Sequence, residues 1–491
     1  MTAMTAQTLE LRQFIDGQWN DATGDEARSS NPADPADVVA RYATATTETL
    51  EKAVTAARDA LAGWDRLGIL GRGKILRRAA GILEERGEEI AGLMTREQGK
   101  TLADSRGEVG ATVETLYYQA GSARRADGVT YPSGNPDELV RTIRRPVGVV
   151  GVITPWNFPL QIPAWKIAPA LLWGNTVVWK PASDTPAVAV AFAEILVEAG
   201  VPAGVLNLIL GPGSLGSRLV EHEGIAAVTF TGSVPVGRQI RERVVLRGAK
   251  LQMELGGHNA AIVMPDADVA SAASAIVAAS MSSTGQKCTA TRRIIAVGDV
   301  HDRLSDALVP LVQALVAGPG TEGTSSMGPV VSDRARKEIE DALSQAESEG
   351  GTVLAQGSRP DASGYYVLPT LLAGTDALTI TQEEVFGPIV TLMRAENLDD
   401  AIALANATDF GLTASVFTTN EHVIRRCLNE VVAGLIKVNA PSTGSEVHAP
   451  FGGLRDSTFP APREQNSDVA ADFFTDTKTA YVRVAPTGLP A

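Results

Sequence analysis

The chain has 491 residues, a formal net charge of −14 and a pI of about 5.0. Apolar residues make up 44% and charged residues 20%, the usage of an ordinary globular protein with two or three domains. The acidic balance argues against nucleic acid or an anionic membrane as the main partner, while leaving an anionic small substrate open.

The N-terminal stretch MTAMTAQTLELRQFIDGQW has no basic-then-apolar signal pattern. The most apolar region, Val177 to Leu210, is interrupted by Lys180, Pro181, Asp184, Glu194 and Glu198, so no run is long enough to span a bilayer. Two cysteines cannot make a disulfide framework and fit a reducing compartment. A cytoplasmic protein with no metal site is expected.

In chain order, residues 50–64 place Leu50, Val54, Ala57, Leu61 and Trp64 on one helical face. Residues 74–94 read as a second amphipathic helix, and both precede the first good strand. From Pro146 the pattern changes. PVGVVGVITPW reads as a buried strand, followed by a helix at 161–172, the strand NTVVWK and a helix at 186–199. The strand VLNLIL, a helix at 214–222, the strand AAVTF and a helix at 234–246 complete the run. This alternation argues for a parallel, doubly wound α/β sheet, which binds ligands at the carboxyl ends of its strands. A second alternating stretch begins near Asn259, with AAIVM, a helix at 268–283, the Cys288 segment, ASVFT and GLIKVN. It reads as a second α/β domain. The short segments Glu138–Arg144 and Thr479–Val484 fit neither domain and are expected to pair with each other as an arm.

Gly211-Pro-Gly213-Ser-Leu-Gly216 matches GxGxxG between a strand and a helix, but the next strand ends without the acidic residue of a complete dinucleotide fingerprint. Gly213 stays a candidate for phosphate contact beside the alternative of a plain tight turn. Phe230-Thr231-Gly232-Ser233, leading into a helix, is the better phosphate candidate; the alternative is a simple serine cap.

A free thiol is only about 3% ionised at neutral pH, so a catalytic cysteine needs help from charge, dipoles or a base. Alone, Cys288 in STGQKCTATRR reads first as a buried structural thiol, and Cys427 has nothing to lift it above that reading. Seven stretches change this for Cys288: TPWNFP (154–159), KPAS (180–183), FTGS (230–233), MELGG (253–257), GQKC (285–288), EEVFGP (383–388) and PFGG (450–453). Together, and in this order, they resemble the aldehyde dehydrogenase superfamily over essentially the whole chain.

The resemblance implies a fold and a set of roles. The fold would be a Rossmann-like dinucleotide-binding domain (1–123 and 146–256), an α/β catalytic domain (257–455) and a small β oligomerisation arm (124–145 and 470–486) giving a homodimer or homotetramer. Cys288 matches the nucleophile that forms a thiohemiacetal and then a thioester. Asn157 matches the side-chain amide that stabilises the oxyanion with the Cys288 backbone N–H, and Glu254 the general base. Glu464, in PREQN, matches a second glutamate that relays protons, although Asn466 stands where the family more often has Gly. Glu384 matches the residue that binds the nicotinamide ribose, with Phe386 packing near the ring. Thr154, Pro155 and Trp156 match the cofactor-side loop, and Lys180 a residue near the adenosine ribose. Ser183 stands where NAD-preferring relatives often carry Glu; the expected cofactor is NADP, with NAD also accepted.

The stretches RGAKLQMELGG, STGQKCTATRR, HAPFGG with PREQ, and IPAWKIAPAL further resemble the 2,5-dioxopentanoate (α-ketoglutarate semialdehyde) dehydrogenase group. Two departures weigh against a carboxylate-bearing substrate: Ser282 and Trp165 stand where relatives acting on such semialdehydes often carry Arg near the nucleophile or beside the residue matching Lys166. Trp165, Phe158, Phe451 and Phe459 suit an apolar or aromatic aldehyde. Gln161, Arg292, Arg455 and Ser445 are the candidates to meet a carboxylate. Succinate-semialdehyde and broad-range aldehyde oxidation stay open. A coenzyme-A-acylating enzyme is disfavoured by Glu254, and an inactive structural relative by the joint presence of Cys288, Glu254 and Asn157.

Overall fold

In the computed structural model, which describes residues 7–125, 128–360, 363–459 and 467–483, the apolar runs after Pro146 form the centre of an eight-stranded sheet. Its strands lie in the order Thr458–Phe459, Lys250–Glu254, Ala227–Thr231, Val149–Ile153, Thr176–Lys180, Leu206–Leu208, Gln13–Ile15 and Gln18–Asn20. The five inner strands are parallel; the N-terminal hairpin and Thr458–Phe459 add antiparallel edges. Successive side chains point to opposite faces of a strand. Val150, Val152, Val177 and Trp179 therefore enter one core, while Val149, Ile153, Val178, Val228 and Phe230 enter the other. Both faces are covered by helices, which is why these strands read as continuous apolar runs rather than alternating ones.

A second sheet runs Thr352–Gln356, Thr370–Ala373, Ile389–Ala395, Thr291–Val297, Asn259–Val263, Thr413–Phe417 and Leu435–Val438. All of its neighbours are parallel except the first pair. The strands Glu138–Pro146 and Thr475–Arg483 pair antiparallel along their length, Thr142 opposite Thr479, and Thr130–Tyr131 joins on the far side. Among the described residues no helix is long and apolar enough to cross a membrane.

The N-terminal region departs from the sequence reading in two ways. Strands Gln13–Ile15, Glu26–Asn31 and Asp34–Ala43 precede the first helix; they are short or contain Pro35, and give no apolar alternation. The helix expected over 74–94 is two, Gly68–Glu85 and Gly87–Gln98. Arg86, with ψ 10°, breaks it just before a glycine, a poor helix former.

Asn175 ties the arm to the first sheet. Its Oδ1 accepts from Gly148 N at 3.1 Å, and its Nδ2 donates to Ala170 O at 3.1 Å and Phe474 O at 2.9 Å, all out of solvent. Asn175→Ala would leave the Gly148 N–H without its acceptor, while the Ala170 and Phe474 carbonyls would keep only their backbone donors. The expected loss of stability is about 2–4 kcal/mol, read from the urea unfolding midpoint; a loss below about 0.5 kcal/mol would contradict this role.

Candidate active site

The carboxyl ends of the parallel strands Val149–Ile153, Ala227–Thr231 and Lys250–Glu254 open onto a cavity of 280 Å³. Its walls bring together Pro155, Trp156, Asn157, Thr231, Gly232, Ser233, Glu254, Cys288, Glu384 and Phe386. These residues span more than 230 positions of sequence and come from both large sheets.

Two glycines make this meeting possible. A Cβ on Gly256 would collide with Glu384 Oε2, and one on Gly257 would lie 2.6 Å from the Cys288 carbonyl oxygen. The glycines after Glu254 thus make room for the protein's own Glu384 and Cys288 segments. Glu384 Oε1 accepts the Gly257 N–H at 3.1 Å, leaving its second oxygen without a hydrogen bond to the described residues.

Cys288 follows the helix Val269–Met281 through an unusual turn. Ser283, Thr284 and Gly285 all have positive φ, at 50°, 59° and 66°. The two non-glycine residues cost about 1–2 kcal/mol each in this region. The turn is held by Thr284 Oγ1 donating to Gly328 O at 2.9 Å and by Arg292. The Arg292 guanidinium donates to Gly285 O at 2.6 Å, Lys287 O at 3.3 Å and Gly387 O at 2.7 Å, and lies over the Phe386 ring. Arg292 is therefore a buried staple between the nucleophile loop and the Glu384–Pro388 segment, with its Nε left unpartnered among the described residues. Arg455 is likewise spent on the carbonyls of Asn406 and Thr408.

The electrostatics of the cavity are set by burial. Glu254 is almost fully buried, and its Oε1 has no hydrogen-bond partner among the described residues. Burial pushes its pKa up to about 7, with Lys166 drawing it back. The Cys288 thiol, within hydrogen-bonding reach of that carboxylate, is pushed well above its ordinary value by burial and by the Glu254 charge. Lys166 is held low by burial and donates to Thr229 Oγ1 at 2.9 Å. Burial also raises Glu384 to about 7, offset by Arg292. Cys427 is a core thiol in the helix Glu421–Glu430, pushed up to about 11.

Asn157 donates one N–H to Gln286 O at 3.1 Å, while its Oδ1 is buried without a partner. An amide has two N–H donors, so one remains for a ligand. Its backbone is fixed by an ion pair that the sequence reading missed. Lys100 Nζ donates to Asn157 O at 2.7 Å and to Glu108 Oε2 at 2.6 Å; both charged side chains are wholly buried. Glu108 Oε1 accepts the N–H groups of Leu160 and Gln161 at 2.9 and 3.0 Å. The Lys100 ammonium also sits 4.3 Å from the centre of the Phe158 ring.

The remaining candidates lie around this centre. Thr154 Oγ1 accepts from the Trp179 indole at 2.9 Å, so its side chain faces the core. Phe230 is buried in the core beneath the cavity. Ser233 precedes the helix Val234–Leu246 in extended geometry and makes no side-chain cap, so the plain serine cap does not form. Lys180 Nζ donates to Pro181 O at 3.0 Å, and Ser183 Oγ to Gly211 O at 2.9 Å. Gly213 opens the helix Gly213–Glu221 with free space where a side chain would stand. Trp165 packs against Phe451 at 5.1 Å, with its indole N–H unpartnered. Ser282 Oγ donates to Ala278 O at 2.7 Å. Ser445 is exposed, and Gln161 starts the helix Gln161–Leu172. Glu464 lies outside the described residues.

Removing Lys100 would strand the Glu108 carboxylate in the interior. Lys100→Met is expected to cost about 3–5 kcal/mol, and Lys100→Met/Glu108→Gln much less than the sum of the two single changes. A double-mutant cycle by thermal unfolding checks this; additive costs would contradict the coupling.

The family model for "Aldehyde dehydrogenase family" matches residues 19–480. The chain is 43% identical to the α-ketoglutaric semialdehyde dehydrogenase of Bacillus subtilis, over 98% of this chain and 100% of that protein. It is 39% identical to the 2,5-dioxopentanoate dehydrogenase of Saccharolobus solfataricus, over 96% and 99%. The crystal structure of betaine aldehyde dehydrogenase from Staphylococcus aureus in complex with NAD+ superposes with a TM-score of 0.93 at 33% identity, over 98% of this chain and 96% of that one. The strands, the buried glutamate–thiol pair and these comparisons agree: the chain belongs to the aldehyde dehydrogenase family.

Proposed function

We propose that the protein oxidises 2,5-dioxopentanoate to 2-oxoglutarate with a nicotinamide dinucleotide, through a covalent adduct on Cys288. The observation that carries the chemistry is the buried Glu254 carboxylate within hydrogen-bonding reach of the Cys288 thiol: burial raises both groups, and the Glu254 charge raises the thiol further. Glu254 takes the thiol proton, and the sulfur adds to the aldehyde carbon. The oxyanion of the thiohemiacetal is met by the spare Asn157 N–H and the Cys288 backbone N–H. Once that adduct is oxidised to the thioester and Glu254 has passed the thiol proton to solvent, its carboxylate takes a proton from the water that attacks the thioester, which releases the acid and returns the Cys288 thiol.

The residues present fit a dinucleotide. The helix start at Ser233, free of a side-chain cap, offers N–H groups to a phosphate. The free oxygen of Glu384 suits a ribose diol, and Trp156 and Phe386, edge to face at 5.7 Å, give an aromatic wall. A bound nicotinamide supplies the hydride acceptor. NADP is favoured, because no carboxylate stands at Ser183 to repel a 2′-phosphate and Lys180 is close by. NAD is also accepted, because Asp184 stands beside Lys180 and burial lowers the Lys180 pKa to about 8 despite that carboxylate.

The substrate assignment rests on the relatives named above, whose printed names give that aldehyde. We further assign the first sheet with its N-terminal helices (1–123 and 146–256) to cofactor binding, 257–455 to catalysis, and 124–145 with 470–486 to assembly. The arm's outer strand Thr475–Arg483 has an unpaired edge and an exposed Tyr481, which suits docking on a second copy in a homodimer or homotetramer. A nucleophilic thiol suits a reducing cytoplasm.

Three outcomes are expected. Since Glu254 must be ionised to act as a base and burial raises it to about 7, kcat should fall as pH drops through about 7. Glu254→Gln should abolish that limb along with most turnover; an unchanged limb would assign it elsewhere. Asn157→Ala should lower kcat about 10²–10³-fold with little change in cofactor affinity. Ser183→Glu should shift the ratio of kcat/KM for NADP over NAD towards NAD by at least about tenfold; a wild-type enzyme that already prefers NAD would overturn the cofactor preference.

A further inference from the structure

Lys287 directly precedes the nucleophile and does not line the cofactor-side cavity. Its side chain turns the other way. Nζ donates to Ser282 Oγ at 2.9 Å, and the charges that act on it are Asp104, Lys100, Glu108 and Cys288. Asp104 and Glu108 belong to the helix Leu102–Ser122. Both carboxylates attract Lys287 from a distance, and neither makes an ion pair with it. Glu108 is spent on Lys100 and two backbone N–H groups, and Asp104 accepts from Thr101 Oγ1 at 2.9 Å. Among the described residues no carboxylate reaches ion-pairing distance of Lys287, and its only side-chain partner is the neutral Ser282 hydroxyl.

A half-buried ammonium with a neutral partner in contact pays for desolvation with only distant counter-charges. A substrate anion would supply one. Position 282, where the sequence offers Ser instead of a cation, is thus where the structure delivers one, carried from position 287 and steadied by the serine.

We propose that Lys287, oriented by Ser282, is the subsite for the carboxylate of the aldehyde substrate. Neighbouring Cα atoms are about 3.8 Å apart, so a five-carbon chain bound to Cys288 through its aldehyde carbon is long enough for its far carboxylate to meet the Lys287 ammonium. The substituent lies away from the cavity that Glu384 and Phe386 line. The Arg292 and Arg455 guanidinium ends are already engaged by backbone carbonyls, which leaves Lys287 the better placed cation. Ionised carboxylate and ammonium make a charge-assisted hydrogen bond, which selects acids over uncharged aldehydes of the same length.

This inference rests on the proposed acid substrate, and its test separates the two. The quantity to measure is kcat/KM for 2,5-dioxopentanoate divided by that for pentanal, with saturating NADP, in wild type, Lys287→Met, Lys287→Arg and Ser282→Ala. The ratio should fall about 10- to 100-fold in Lys287→Met, chiefly through KM for the acid. Lys287→Arg should keep most of it, and Ser282→Ala should lower it several-fold. The charge-keeping Lys287→Arg and the serine variant keep the test open should Lys287→Met not fold. A wild-type preference for the acid that survives in Lys287→Met, or a preference that Lys287→Arg loses as fully as Lys287→Met, overturns the subsite and leaves the substrate reading intact. No preference in wild type overturns the substrate reading, and the subsite with it.

Discussion

Glu254 and Cys288 face each other in a cleft where solvent cannot screen a second negative charge. Two neighbouring groups of this kind titrate as a pair, and the energy of placing charge on one depends on the proton held by the other. Burial therefore does more than hide these side chains. It keeps the thiol protonated at rest and gives the carboxylate a pKa near neutrality, the value at which a general base is both available and strong enough to act. A thiol in an open loop would need a cationic neighbour to become reactive; here a base is supplied instead.

The rest of the architecture serves to keep that pair together. Glu254 ends one strand of the first sheet, while Cys288 precedes a strand of the second. The contact between them depends on Gly256 and Gly257, on the left-handed turn at Ser283–Gly285 and on the Arg292 staple. On the opposite wall the Lys100–Glu108 pair fixes the Asn157 backbone. Each of these devices is individually unfavourable: positive φ at Ser283 and Thr284, and charged groups deep in the interior. They persist because neighbouring packing holds them, which is the usual cost of a rigid site.

Much of this was legible in the sequence because its signals are local. The alternating runs from Val149 to Glu254 announced the parallel sheet, and TPWNFP, MELGG, GQKC and EEVFGP announced the residues that line one cavity. What the sequence could not display were partners far apart along the chain. Lys100 meets Asn157 across 57 positions and Arg292 meets Gly387 across 95; nothing in either neighbourhood hints at the other. Arg292 read as a candidate for a substrate carboxylate because a lone Arg beside an active-site loop gives no sign of where its five donors go. Lys287 went unnoticed for the converse reason. It sits inside a motif whose cysteine takes the attention, and its significance emerges only once Ser282 is seen to be its partner.

In the proposed mechanism Glu254 frees the product by activating water against a Cys288 thioester. The direct measurement is intact and peptide mass analysis of Glu254→Gln, quenched after mixing with the aldehyde and dinucleotide. Acylation slowed by the missing base, followed by an acyl group that accumulates on the Cys288 peptide, about one per chain and matched by reduced dinucleotide, is the expected result. A burst without any adduct at Cys288, or an adduct at Cys427, would contradict it.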